Sequence, residues 1–201
     1  MKVVVYTQRV EEVESYAERR DCADQRIGVF LKACGMIPIP LRNAPADMPD
    51  VFRQLRPCGV VLTGGNSLLR YGGNAPERDE TDAACIRLAI EGRLPLYGFC
   101  RGMQSLLDYF DEELVEIPGH VAVRHILQGD IQREVNSYHG QGCTNLRTGA
   151  FVILAQTADG VIEAIRHRQY PFLGTMWHPE REKQFHEDDI QRVRALFSNN
   201  E

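Results

Sequence analysis

The stretch 98–102, Gly98-Phe99-Cys100-Arg101-Gly102, decides how the rest of the chain is interpreted. Its first two residues end the apolar run 94–99, which is typical of a buried strand. Residues 103–110 come directly after it, and their apolar side chains repeat at helical spacing. Glycines on both sides of Cys100 permit a sharp turn that holds its side chain in front of the sheet. We therefore predict a nucleophile elbow at Cys100, where the helix N-terminus would lower the pKa of the thiol. The alternative is a cysteine packed tightly between two glycines.

The segments on either side of the elbow alternate between strand-like and helix-like patterns. Asp21 is expected to cap a helix that ends near Gly35, between two apolar strand-like runs. The predicted strands are 3–6, 59–63, 94–99, 134–138, 151–156, 161–167 and 172–177, and further helices are predicted over 77–91 and around 190–197. This order predicts one α/β domain over residues 1–201, a three-layer α/β/α sandwich with a mostly parallel central sheet.

Composition excludes several classes of protein. The chain has 201 residues and a net charge of −5, so no basic surface is available for nucleic acid or an anionic membrane. It has no apolar run near the roughly 20 residues of a membrane span and no signal-peptide pattern, so we expect a cytoplasmic protein. The six cysteines form no C-x-x-C pair and are expected to be free thiols.

A second motif, Trp177-His178-Pro179-Glu180, ends the last predicted strand. A cysteine nucleophile needs a base that takes its proton and returns it to the leaving group, and that base needs an orienting acceptor. The proline stops the strand and leaves His178 and Glu180 in a constrained turn. A histidine at a strand end is usually ordinary polar surface, but the nearby carboxylate and the elbow favour a catalytic role.

A third motif, Thr63-Gly64-Gly65-Asn66, follows another predicted strand. Open α/β sheets bind ligands at the carboxyl edge of their strands, and glycines there can turn backbone amides toward an oxyanion. The amides of Gly65 and Arg101 are the expected pair of donors. The alternative is an ordinary turn between a strand and a helix.

Together the three motifs resemble those of the class I glutamine amidotransferases and their γ-glutamyl hydrolase relatives. The resemblance covers nearly the whole chain and implies a Cys100–His178–Glu180 triad. It also implies that Gln104 helps to hold the glutamyl group. The run Asn136-Ser137-Tyr138-His139-Gly140-Gln141 is similar to that of stand-alone γ-glutamyl hydrolases, and it implies that Ser137, Tyr138 and His139 contact the glutamyl group.

A narrower resemblance is carried by the segments 7–10, 18–21, 71–79 and 119–125. These segments look similar to those of the γ-glutamyl-CDP-amidate hydrolases of bacterial capsule phosphoramidate pathways. A diphosphate leaving group needs cations, and the candidate side chains are Arg9, Arg20, His120 and Arg124. His120 and His125 are five residues apart with no carboxylate between them, so no metal and no other cofactor is expected.

The function predicted from the sequence is hydrolysis of a γ-glutamyl amide through a thioester on Cys100, with γ-glutamyl-CDP-amidate as the substrate. Three alternatives remain open: a γ-glutamyl-GABA hydrolase, a glutaminase subunit that supplies ammonia to a partner synthase, and an inactive binding or scaffold protein. The expected partner is a small γ-glutamyl substrate. A homo-oligomer is compatible with the sequence, which does not fix the oligomeric state.

Overall fold

A computed structural model describes residues 2–198, which form fourteen strands and five α-helices. The strands are β1 (Lys2–Tyr6), β2 (Arg9–Val13), β3 (Glu18–Cys22), β4 (Met36–Pro40), β5 (Gly59–Leu62), β6 (Leu96–Phe99), β7 (Val115–Glu116), β8 (Val121–Ile126), β9 (Gln128–Gly129), β10 (Glu134–Tyr138), β11 (Gln141–Gly142), β12 (Phe151–Gln156), β13 (Ile162–His167) and β14 (Phe172–Thr175). The helices are α1 (Gln25–Ala33), α2 (Met48–Leu55), α3 (Pro76–Gly92), α4 (Arg101–Tyr109) and α5 (Glu187–Ser198). Residues 1 and 199–201 of the predicted 1–201 domain lie outside the described residues.

The central sheet has eight strands in the order β4-β1-β5-β6-β14-β13-β12-β9. The first five strands run parallel to one another, and the remaining pairs are antiparallel. Every residue of β5, β6 and β14 is buried, as expected for strands that are covered on both faces. The predicted mostly parallel sheet is therefore confirmed.

Helices cover both faces of this sheet because neighbouring strand residues point to opposite sides. Val5 and Val60 pack in one apolar core with residues of α2, α3 and α4, including Phe52. Their neighbours Val4 and Val61 pack in a second core with residues of α1 and α5. These two cores on opposite faces give the three layers that the sequence predicted.

Three features differ from the sequence-based expectations: the cap of α1, the hairpin of β2 and β3, and helix α2. Asp24 caps α1, because its side chain accepts a hydrogen bond from the Arg26 amide at 2.8 Å, whereas Asp21 lies in β3. The strands β2 and β3 form an antiparallel hairpin that the sequence pattern does not predict. Helix α2 is not predicted from the sequence either. Both segments are short and polar enough to resemble solvated loops.

The topology places three loops side by side. Strands β5, β6 and β14 are neighbours and parallel, so their carboxyl ends meet at one edge of the sheet. The loops that leave this edge begin at Thr63, Cys100 and Met176. The three motifs found in the sequence therefore converge. None of the helices within residues 2–198 is long and apolar enough to cross a membrane.

Candidate active site

The elbow at Cys100 is built on a strained backbone. Cys100 has φ 51° and ψ −114°, a conformation that is unusual for a residue with a side chain. A Cβ on Gly98 would lie 2.5 Å from the Gly102 carbonyl oxygen, and one on Gly102 would lie 2.0 Å from the Leu62 carbonyl oxygen. Both positions therefore require glycine, and the predicted sharp turn between a strand and a helix at Cys100 is confirmed.

His178 faces this elbow from the loop after β14. Its Nδ1 lies 2.6 Å from Glu180 Oε1, and both residues are only 2% exposed. The Asn136 side chain holds the backbone of His178: it accepts from the His178 amide at 2.9 Å and donates to the His178 carbonyl at 2.8 Å. The Cys100 thiol and the His178 imidazole line the same cavity and interact electrostatically. The order thiol, imidazole, carboxylate is the one that activates a sulfur nucleophile.

The charges of these groups support one another. Burial alone would raise the pKa of the Cys100 thiol, but His178, His139 and the Arg101 amide lower it below its ordinary value. Burial alone would lower the pKa of His178, but Cys100 and Glu180 raise it to about 9. The thiolate–imidazolium pair is therefore favoured over the neutral pair, and the thiolate is the reactive form of a catalytic cysteine.

The 63–65 turn lies against both Cys100 and His178. A Cβ on Gly64 would be 2.6 Å from His178 Cε1 and 3.5 Å from Cys100 Cβ. Arg78 holds the turn from behind, since its guanidinium donates to the carbonyls of Thr63 at 2.7 Å, Gly64 at 2.9 Å, and Gly65. With these carbonyls held by Arg78, the turn is fixed beside the nucleophile, and Gly65 lines the same cavity as Cys100.

Gly64→Ala is expected to lower kcat/KM by about 100-fold, because the added methyl group would displace the His178 ring, and misplacement by about 1 Å has that effect. The measurement is steady-state hydrolysis with thermal unfolding of the same preparation. Gly28→Ala is the matched control, since the nearest atom to its new Cβ is 3.9 Å away. Wild-type activity in Gly64→Ala would show that the turn tolerates a side chain.

The Arg101 side chain is directed away from the cleft. It is 1% exposed and pairs with Asp82 and Asp79 from α3, and it also donates to Ser105 Oγ at 3.0 Å. Its backbone amide lies against the Cys100 sulfur, where it lowers the pKa of the thiol. Arg101 thus presents an amide to the site while its guanidinium joins α3 to α4.

A cavity of about 630 Å³ opens in front of Cys100. Gln104, Tyr138 and His139 line it, and Gln104 donates to the Gln141 carbonyl at 2.8 Å. Ser137 does not line this cavity: it is 0% exposed, and its hydroxyl donates to the His120 carbonyl at 2.6 Å. Three of the four residues expected to hold the glutamyl group therefore reach the cavity.

Behind His139 lies a buried cluster in which His120, His139 and Glu163 have ligand atoms within 4.8 Å of one another. His139 Nε2 is 3.2 Å from Glu163 Oε1, and His120 Nε2 is 3.0 Å from Asp159 Oδ2. Within residues 2–198, this is the set that could hold a metal ion. This cluster brings His120 together with His139 and Glu163, which are distant from it in the chain. The spacing of His120 and His125 gives no sign of such a cluster.

The cations proposed for a distal group are dispersed. Arg9 pairs with Glu11 and lines a smaller neighbouring pocket, while Arg20 pairs with Glu18 in the hairpin. His120 is 1% exposed, and Arg124 binds the carboxylates of Glu134 and Glu182. None of these four lines the large cavity.

Arg181 lines both pockets, and it is not among the residues predicted from the sequence. The signal that could have found it is its position directly after Glu180, at the end of the histidine motif. Arg78 was also missed, because it lies in a run of charged residues that resembles an exposed helix face, yet it is 0% exposed.

Comparison with known proteins agrees with this geometry. The sequence model of the family glutamine amidotransferase class-I matches residues 41–195. The chain belongs to this family. It is 30% identical to the γ-glutamyl-CDP-amidate hydrolase of Campylobacter jejuni over 197 residues, covering 96% of each chain. It is also 30% identical to a γ-glutamyl-γ-aminobutyrate hydrolase of Escherichia coli O157:H7 over 188 residues, covering 73% of each.

A solved structure has the same fold. A protein from Thermoplasma acidophilum described as a GMP synthase component superposes with a TM-score of 0.71, at 18% identity, over 98% of this chain and 94% of the other. The resemblance inferred from the three motifs is confirmed by the family match. The prediction that the chain is a hydrolase is confirmed by the two hydrolase relatives.

Proposed function

We propose that the chain hydrolyses γ-glutamyl-CDP-amidate to glutamate and cytidine diphosphoramidate, in the cytoplasm, as a step of capsule modification. The observation that carries the proposal is the strained Cys100 elbow, which lines one open cavity together with His178, whose imidazole is bonded to the buried Glu180. Hydrolysis of γ-glutamyl amides is also the activity named for both hydrolase relatives. The choice of CDP-amidate follows the relative that matches over 96% of the chain.

The first half of the reaction is acyl transfer to sulfur. The Cys100 thiolate attacks the γ-carbonyl carbon, and the amides of Gly65 and Arg101 donate to the oxyanion that forms. His178 then gives its proton to the departing nitrogen as the C–N bond breaks. The products of this half are a γ-glutamyl thioester on Cys100 and the free amine component.

The second half returns the enzyme to its starting state. Neutral His178 accepts a proton from a water molecule, whose oxygen attacks the thioester carbonyl. The carbon–sulfur bond breaks, glutamate leaves, and the proton on His178 restores the thiolate–imidazolium pair. Glu180 keeps the imidazole oriented throughout, because it accepts from Nδ1 and leaves the other nitrogen for proton transfer.

In this proposal the two parts of the substrate share the cavity. Gln104, Tyr138 and His139, which line it together with Cys100, are assigned to the glutamyl group. A volume of about 630 Å³ is large for a glutamyl group alone and lies within the range for drug-sized ligands. The remaining space accommodates a bulky group on the γ-nitrogen.

The direct test is a panel of three substrates: glutamine, γ-glutamyl-γ-aminobutyrate and γ-glutamyl-CDP-amidate, each followed by release of glutamate. We expect kcat/KM to be highest for γ-glutamyl-CDP-amidate. Preference for γ-glutamyl-γ-aminobutyrate would reject the CDP-amidate assignment and leave γ-glutamyl hydrolysis standing. Negligible turnover of all three would contradict a stand-alone hydrolase and point to a glutaminase subunit or a binding protein.

A further inference from the structure

We propose that Arg181 is a specificity-determining residue that binds a negatively charged group carried by the leaving nitrogen. This inference rests on the proposed function and identifies the side chain that would recognise an anionic leaving group. Arg181 lines the large cavity together with Cys100 and His178, and it also lines the smaller pocket beside Arg9. Its side chain is 37% exposed, so it can be reached from the cavity.

The other charged side chains of the cavity are already engaged or have the wrong sign. The Arg101 guanidinium is buried against Asp82 and Asp79, and His139 is bonded to Glu163 and the Gln141 carbonyl. Glu116, which also lines the cavity, would repel an anion. Arg181 is left as the cation with donors available to a ligand.

The guanidinium of Arg181 has free hydrogen-bonding capacity. Its Nε is 3.8 Å from Glu180 Oε1, which is outside hydrogen-bond range, and that oxygen already accepts from His178 at 2.6 Å. Within residues 2–198, neither Nη group has a hydrogen-bond partner. A planar guanidinium with unused donors is the group best suited to bind a phosphate in a bidentate manner.

Arg181 is held in place by an aromatic ring next to the proton donor. Its guanidinium carbon lies 4.4 Å from the centre of the Tyr138 ring, a cation–π geometry. The same ring meets the His178 ring edge-on at a centroid distance of 5.8 Å. The cation therefore lies near the imidazole that must protonate the leaving nitrogen.

The position matches an anion bonded close to that nitrogen. In a phosphoramidate the phosphorus is attached directly to the nitrogen, so its oxygens lie next to the bond that breaks. An anionic group there would share the cavity with the Cys100 thiolate and the Glu116 carboxylate, both of which are negative. A guanidinium at this point offsets that repulsion and gives the enzyme a preference for anionic over uncharged leaving groups.

The test compares Arg181→Gln with the wild type on γ-glutamyl-CDP-amidate, γ-glutamyl-γ-aminobutyrate and γ-glutamyl-p-nitroanilide, whose leaving group is uncharged. We expect the ratio of kcat/KM for the CDP-amidate to that for the anilide to fall by about 10- to 100-fold, as for loss of a charged hydrogen bond. Arg181→Lys should retain part of the ratio, since it keeps the charge without the planar fork. The matched control is Arg53→Gln, an exposed arginine of α2 that pairs with Asp50, for which the ratio should not change.

The outcomes separate this inference from the proposed function. An unchanged ratio in Arg181→Gln, or a larger fall in Arg9→Gln, would overturn the role of Arg181 even if the CDP-amidate is the substrate. If the wild type hydrolyses γ-glutamyl-γ-aminobutyrate and not the CDP-amidate, the proposed substrate is wrong. The role of Arg181 is then tested with the ratio of kcat/KM for γ-glutamyl-γ-aminobutyrate, which is also anionic, to kcat/KM for the anilide. A wild type that prefers neither anionic substrate to the anilide would contradict both.

Discussion

Replacing Cys100 with alanine is expected to lower kcat for γ-glutamyl hydrolysis by at least about 10⁴-fold, because the covalent pathway is lost and only binding and the oxyanion donors remain. The fold should survive, since alanine keeps the Cβ and the thiol packs at the surface of the cleft, 7% exposed. Glutamate release measures the loss, and thermal unfolding checks the fold. Near-normal turnover by Cys100→Ala would reject the thioester mechanism.

Cys58→Ala is the matched control for this substitution. Cys58 precedes β5, at the opposite edge of the sheet from the elbow, and burial raises the pKa of its thiol. Burial likewise raises the pKa of Cys34, Cys85 and Cys143.

At neutral pH iodoacetamide should modify Cys100 before the thiols of Cys34, Cys58, Cys85 and Cys143, because burial raises the pKa of these four. Loss of activity should follow the labelling of Cys100. Equal, slow labelling of all of them would favour a binding protein of the same fold.

The main elements of the candidate site could be predicted because their signals are local. The spacing of Gly98, Cys100 and Gly102 specifies a turn that other residues cannot make, as the close approaches at both glycines show. His178 and Glu180 are two residues apart, so a single constrained turn brings them together. These turns meet in space because the parallel strands that precede them have their carboxyl ends at the same edge of the central sheet.

The surrounding cations could not be predicted in the same way. Arg78 and Arg181 lie beside other charged residues in the sequence, and local patterns give no sign of which one is buried behind the 63–65 turn and which one faces the cavity. Arg20 and Arg124 were plausible on charge alone, but each lies beside carboxylates with which it pairs. The direction of a long side chain depends on contacts between distant segments, such as Arg78 with the 63–65 turn.

The missed hairpin has a related cause. Residues of β2 and β3 are mostly exposed and charged, so they lack the alternation of apolar and polar residues that marks a half-buried strand. Their pairing is stabilised by cross-strand contacts, including Glu12 opposite Arg19, whose side chains form an ion pair. The same polarity made Asp21 resemble a helix cap, whereas the helix starts after Asp24.

Glu180→Gln is expected to lower kcat/KM at pH 7 by about 10³-fold, because the analogous acid-to-amide change in serine proteases leaves the histidine in the wrong tautomer. Glu180 accepts from His178 Nδ1 at 2.6 Å, and both groups are buried, so water cannot replace the lost acceptor. Glu180→Asp should recover part of the activity, since it restores a carboxylate. Glu113→Gln, at an exposed carboxylate that pairs with Arg147, is the matched control.

The pH profile distinguishes an electrostatic role of Glu180 from a purely structural one. Burial lowers the pKa of His178, whereas Cys100 and Glu180 raise it, to about 9 in the wild type. The imidazolium therefore persists below pH 9 and is lost above it, which gives the wild type an alkaline limb near that pH. Without the carboxylate the pKa of His178 falls, so the alkaline limb of Glu180→Gln should move to lower pH, with a lower plateau because less of the thiolate–imidazolium pair is present. A reduced rate with an unshifted profile would mean that Glu180 only supports the fold of the 178–181 turn.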